Sequence, residues 1–80
     1  CQVALMAPTE ILAQQHALNC EKVLKPLGIT VAFLSGQLKT KEKKQVLDDL
    51  KNGEIHLIVG THALIQEGVE FANLGYVVVD

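Results

Sequence analysis

The chain has no tryptophan, one tyrosine and two phenylalanines, an aromatic share of 4%. Its core must therefore be built from Val, Ile, Leu and Ala, which suits a parallel sheet buried on both faces. Cysteine is just as sparse. Cys1 and Cys20 have no CxxC spacing and no paired Cys/His set, which speaks against zinc and against a disulfide framework and predicts two reduced, inert thiols. No apolar run approaches the roughly 20 residues that cross a bilayer, and no charged leader precedes an apolar segment and cleavage site. A soluble, intracellular protein without membrane contact is expected. Linkers rich in Pro or in Ser and Gly are missing, as are internal repeats, so no internal domain boundary is drawn.

What is present fits a small globular α/β domain. Eighty residues make one core, because a chain of this size buries only about 60% of the surface its unfolded form exposes. A hydrophobic content of 49%, a charged fraction of 20% and a mean hydropathy of +0.26 exclude disordered, collagen-like and low-complexity classes. Cys1 stands where an initiating Met would, and Asp80 directly follows an unbroken hydrophobic run. An excerpt from a longer protein is expected.

Four short apolar runs read as strands: Val3 to Met6, Thr30 to Leu34, Leu57 to Val59 and Tyr76 to Val79. After the first, Ala7-Pro8-Thr9 opens a stretch with Glu10 in its first turn and Ala13, Ala17, Cys20 and Leu24 on one helical face. Pro26 and Gly28 stop that helix. The second helix opens at Thr40 as N-cap, carries Glu42 near its positive end, presents Val46, Leu47 and Leu50, and closes at Gly53. Lys44 and Asp48 are spaced for an i,i+4 pair. A short third helix is expected from His62 to about Gln66, with Gly68, Phe71 and Gly75 as loop punctuation. Strands alternating with helices imply right-handed βαβ units and a parallel sheet.

In such a sheet all strand carboxyl ends lie on one edge, where open α/β proteins bind ligands. Those ends are Ala7-Pro8-Thr9, Ser35-Gly36, Gly60-Thr61-His62 and Asp80. Three carry Gly or a small hydroxyl at the turn into a helix, where free N–H groups favour anions. Tyr76-Val77-Val78-Val79-Asp80 has the form that holds a Mg²⁺-bound nucleotide, a buried strand fixing an oxygen ligand for a hard cation. A strand ending in Asp is also an ordinary turn. No Gly-Lys pair occurs anywhere, so the phosphate-cradling G-x-x-x-x-G-K-[ST] loop is not in these residues, and independent ATPase activity is not expected of them.

These strings resemble those of a known family. The run Ala7-Pro8-Thr9-Glu10-Ile11-Leu12-Ala13-Gln14-Gln15-His16 looks like motif Ia of the superfamily 2 helicases. Gly60-Thr61-His62-Ala63-Leu64-Ile65-Gln66 resembles the Ib region, and Asp80 would be the first residue of the DExH box. Within the superfamily, the combination is most similar to the RecG family of bacterial ATP-dependent DNA helicases. Transcription-repair coupling factors are similar over the same span, but Glu10 after Pro8-Thr9 and Ala63 after Gly60-Thr61-His62 look more like RecG.

The resemblance implies a RecA-like (P-loop NTPase) fold, a parallel sheet with helices on both faces, incomplete in this excerpt. Residues 1–80 would run from motif Ia to the start of the DExH box of the N-terminal ATP-binding domain. It also implies ATP and Mg²⁺ as cofactors, and as partners branched or forked DNA and the rest of the helicase, including a second RecA-like domain. The bacterial cytoplasm is the implied location. Pro8 and Thr9 would touch a DNA phosphate, while Gly60, Thr61 and His62 would hold a neighbouring stretch of backbone. Asp80 would be the catalytic, metal-orienting and nucleotide-side residue.

Each assignment has a plainer counterpart. Thr9 and Thr61 serve equally as N-caps, a role compatible with DNA contact. His16 reads as a packed or hydrogen-bonded histidine rather than a ligand or base, and His62 as either a backbone contact or a structural hydrogen bond. Lys39, Lys41, Lys43 and Lys44 form a solvated helix start, with a supplementary phosphate contact behind that reading. A net charge of -2 implies weak DNA binding by these residues alone. The rival classes are a non-enzymatic flavodoxin-like or receiver-like binding module and a purely structural α/β fragment with exposed sheet edges.

Overall fold

The computed structural model describes residues 1–65 and 69–80. Strand β1 (Gln2–Ala7) leads into α1 (Glu10–Leu24), which tightens into a 3-10 turn, Lys25–Leu27. Then come β2 (Val31–Leu34), α2 (Thr40–Lys51), β3 (Leu57–Thr61), α3 (His62–Ile65) and β4 (Leu74–Val79). Gln66 and Gly68, expected at the end of the third helix and in the loop after it, lie outside the described residues. The strands form one sheet in the order β2-β3-β1-β4, with every pair parallel.

Pleating sorts the strand side chains into two cores. Ala7, Leu57 and Val59 are buried with Ala13 and Ala17 of α1, and Val3, Leu5, Val31 and Phe33 pack around them. Ala4, Met6, Leu34 and Ile58 face the other way and meet Leu50 of α2 and Ile65 of α3. Helices thus cover both faces. The expected helical stripes are the buried ones: Cys20 and Leu24 border the first core, and Val46 and Leu47 border the second. Gly28 ends the 3-10 turn with φ of 78°, a left-handed conformation that favours glycine.

Several expectations shift. The cap of α2 is Lys39, not Thr40. Lysine has no acceptor, so the turn is closed by Glu42, whose Oε1 accepts the Lys39 N–H at 3.1 Å. No Lys44–Asp48 pair forms among the described residues; one residue further on, Gln45 Nε2 donates to Asp49 Oδ1 at 2.8 Å. Gly75 belongs to β4 rather than to a loop. A Cβ there would come within 2.6 Å of Cys1 Sγ, so the strand passes too close to Cys1 for a side chain. Gly60 and Thr61 likewise extend β3.

The last strand, expected to be buried, has no covering layer among the described residues. Every side chain of β4 is exposed, Tyr76 to 68% and Val79 to 58%. Among the described residues β4 lies at the edge of the sheet, and the core packed against α1 draws its strand residues from β1, β2 and β3. No helix of the described residues is long and apolar enough to cross a membrane.

The buried polar residue is Gln2, only 4% exposed. Its Nε2 donates to the carbonyls of Leu50 and Ile55, each at 2.8 Å, and its Oε1 accepts the Asn73 N–H at 2.9 Å. One amide thereby ties the end of α2, the loop before β3 and the approach to β4 to the start of β1. Gln2→Leu strands the Ile55 carbonyl and the Asn73 N–H, whereas the Leu50 carbonyl still accepts from the Gly53 and Ala72 N–H groups, and each buried unsatisfied group costs about 1–3 kcal/mol. Urea unfolding of this variant should show a loss of about 2–4 kcal/mol; a loss under about 0.5 kcal/mol, typical of surface substitutions, would contradict that role.

Candidate functional site

Strand register decides which residues share the carboxyl edge. β1 pairs with β3 as Met6↔Gly60 and Ala7↔Thr61, and β2 pairs with β3 as Leu34↔Gly60. β4 pairs with β1 as Met6↔Val79, and the Asp80 N–H donates to the Met6 carbonyl at 2.8 Å. One step past these pairs, Ser35, Thr61, Ala7 and Asp80 stand in a row across the sheet. Three inter-strand spacings make that row about 14 Å long. Pro8, Thr9 and His62 follow within two residues of it.

Thr9 and Pro8 are exposed. Thr9 caps α1, its Oγ1 accepting the Leu12 N–H at 3.2 Å, while other first-turn N–H groups stay without helical acceptors. Thr61 is half-buried at the end of β3, immediately before His62 opens α3. His62 is also half-buried, and its Nε2 is enclosed without a hydrogen-bond partner among the described residues. Gly60 is buried. A Cβ there would meet the Leu34 carbonyl oxygen and Ile65 Cδ1, each at 3.1 Å. Its missing side chain therefore makes room for α3 and the β2 backbone.

Two residues outside the expected set organise the edge. Glu10 Oε1 accepts the Gly36 N–H at 2.6 Å and the Ser35 Oγ–H at 3.0 Å. The first turn of α1 thus holds the loop after β2, and Ser35 Oγ in turn accepts the Gln37 N–H at 3.1 Å. The sequence marks Glu10 as a favourable charge at a helix start and as part of the motif string; its cross-strand partners depend on which strands are neighbours. The second is His16, whose Nε2 lies 2.7 Å from Asp80 Oδ2. Since a carboxylate only accepts, Nε2 carries the proton. His16 is a hydrogen-bonded histidine, as expected, with a partner 64 residues away. His56 has a local role: its Nδ1 accepts the Thr30 N–H at 2.9 Å where β2 and β3 begin.

No cluster of three or more His, Cys, Asp or Glu side chains able to hold a metal occurs among the described residues. Mg²⁺ is commonly held by one or two carboxylates together with phosphate oxygens and waters. Asp80 fits as one such oxygen donor, exposed at a strand end; it does not form a cage.

The match to known proteins covers the whole stretch. A family model described as DEAD/DEAH box helicase matches residues 1–80. The chain belongs to this family. Among curated proteins, it is 56% identical over 79 residues to the ATP-dependent DNA helicase RecG of Aquifex aeolicus, covering 99% of this chain and 10% of that protein. The corresponding protein of Haemophilus influenzae is 53% identical over 79 residues, covering 99% of this chain and 11% of its length. A solved structure of RecG bound to a three-way DNA junction superposes with a TM-score of 0.87 at 46% identity, covering 95% of this chain and 10% of that one. The fold is thereby RecA-like α/β. The chain spans about a tenth of the length of the curated relatives it matches.

Glu10→Ala removes the acceptor that holds the loop after β2. The Gly36 amide should then exchange with solvent at least about tenfold faster, in line with the 1.5–3 kcal/mol typical of a charge-assisted bond, while Leu5 in the central strand keeps its protection. Unchanged exchange at Gly36 would show that the loop holds its shape without Glu10.

Proposed function

We propose that these residues are the motif Ia to DExH-start segment of the first motor domain of a RecG-type helicase. Such an enzyme uses ATP hydrolysis to translocate on DNA and to remodel branched DNA and stalled forks in recombination and repair. The observation that carries this reading is the row at the carboxyl edge, where register brings both helicase motif strings and Asp80 to one level. The family match and the RecG relatives support it. A bacterial cytoplasmic setting goes with it, as do DNA and a second RecA-like domain as partners.

In this reading the edge grips DNA through its phosphates, contacts that position a strand without reading its sequence. Pro8 leaves the turn before α1 open, and Thr9 offers its hydroxyl beside unpaired N–H groups. Thr61 and His62 take the neighbouring phosphate, with Gly60 setting the close packing beneath them. Glu10 keeps the Ser35-Gly36 loop at the same edge. Asp80 would hold Mg²⁺ through its carboxylate, and the ion would supply neutralisation of charge on the transferred phosphoryl group. The phosphate grip itself comes from residues outside this stretch, since no Gly-Lys pair is present.

In the full-length helicase carrying this segment, Thr9→Ala or Thr61→Ala should lower DNA-stimulated ATP turnover by more than it lowers basal turnover. An equal loss of both, tracking lost stability, would remove the DNA-contact assignment. Asp80→Asn should abolish ATP turnover while DNA binding persists. Wild-type turnover in that variant would end the magnesium role.

A further inference from the structure

The pleat determines where Asp80 points. Val79 is level with Met6, which belongs to the core facing α2 and α3; Asp80, one residue on, is level with Ala7, which belongs to the core under α1. Its carboxylate accordingly turns toward the α1 face. His16 stands on α1 beside the buried Ala13 and Ala17, seven residues or about two turns from the Thr9 cap. There its Nε2–H reaches Asp80 Oδ2 at 2.7 Å, from a half-exposed position with 34% side-chain exposure against 47% for Asp80.

We propose that His16 is the positioning residue for Asp80: its imidazole N–H holds Oδ2, orients the carboxylate proposed above to hold Mg²⁺, and leaves Oδ1 as the oxygen that would serve as ligand. The inference rests on that assignment. The histidine supplies that orientation from a helix packed on the sheet through Ala13 and Ala17. Because the Thr9 cap begins the same helix two turns earlier, one element carries both the phosphate-facing turn and the partner of Asp80.

The test uses the full-length helicase and equilibrium binding of a fluorescent, non-hydrolysable ATP analogue, with Mg²⁺ and with EDTA, alongside thermal unfolding. His16→Leu and His16→Asn both remove the donor, the second because its amide is too short to reach Asp80. Each should weaken Mg²⁺-dependent binding by roughly tenfold, as loss of an outer partner of a metal ligand does, with the EDTA affinity and the unfolding temperature kept. His16→Gln places an amide N–H near the Nε2 position and should restore binding to within about twofold, well inside that tenfold effect. Wild-type Mg²⁺ dependence in His16→Asn, or an equal loss with and without Mg²⁺, would overturn the proposal. Asp80→Asn separates the two claims. If it loses Mg²⁺-dependent binding while His16→Asn does not, the positioning role alone fails; if it too keeps that binding, the assignment of Asp80 fails first.

Discussion

Strand β1 is hydrogen-bonded along both edges, to β3 from Val3↔Leu57 to Ala7↔Thr61 and to β4 as far as Met6↔Val79. That double pairing sets the level of every strand end and, through the pleat, the face on which each side chain emerges. A slip of one residue between β1 and β4 would turn Asp80 away from α1 and break its bond to His16. Gln2 works against such a slip. Buried at the foot of β1, it is bonded to Leu50, Ile55 and Asn73, so that the segments leading into β3 and β4 are anchored to one amide.

The carboxyl edge is stiffened by a few polar side chains from one helix. Glu10 and His16 both sit on α1, and each reaches a different end of the strand row, the loop after β2 in one case and the end of β4 in the other. Those bonds are charge-assisted, the stronger kind. The small residues Ala13 and Ala17 beneath them let the helix lie close to the sheet. Motif residues and their supports therefore share one element.

The strands and both long helices were readable because burial on two faces leaves unmistakable apolar runs and stripes in a chain with few aromatics. Thr9 as a cap was readable for the same local reason. What escaped was whatever depends on neighbours in space. Gln2 looks like an ordinary polar start to a strand, and only its three bonds show why it is buried. His16 and Asp80 are separated by 64 positions, so no spacing rule joins them. That a side chain at Gly60 would meet Ile65 and the Leu34 carbonyl is likewise set by neighbours in space. The run Tyr76 to Val79 has the composition of a buried strand, and among the described residues nothing covers it.

The most direct test of the central claim, that one sheet edge serves DNA and nucleotide together, is a crystal structure of the full-length helicase carrying this segment with forked DNA and a non-hydrolysable Mg²⁺–ATP analogue. The account requires phosphate oxygens within hydrogen-bond reach, about 3 Å, of the Thr9 and Thr61 hydroxyls or adjoining N–H groups. It also requires the Asp80 carboxylate to face the metal while still bonded to His16. DNA lying across the opposite edge of the sheet, or Asp80 turned away from the nucleotide, would contradict it.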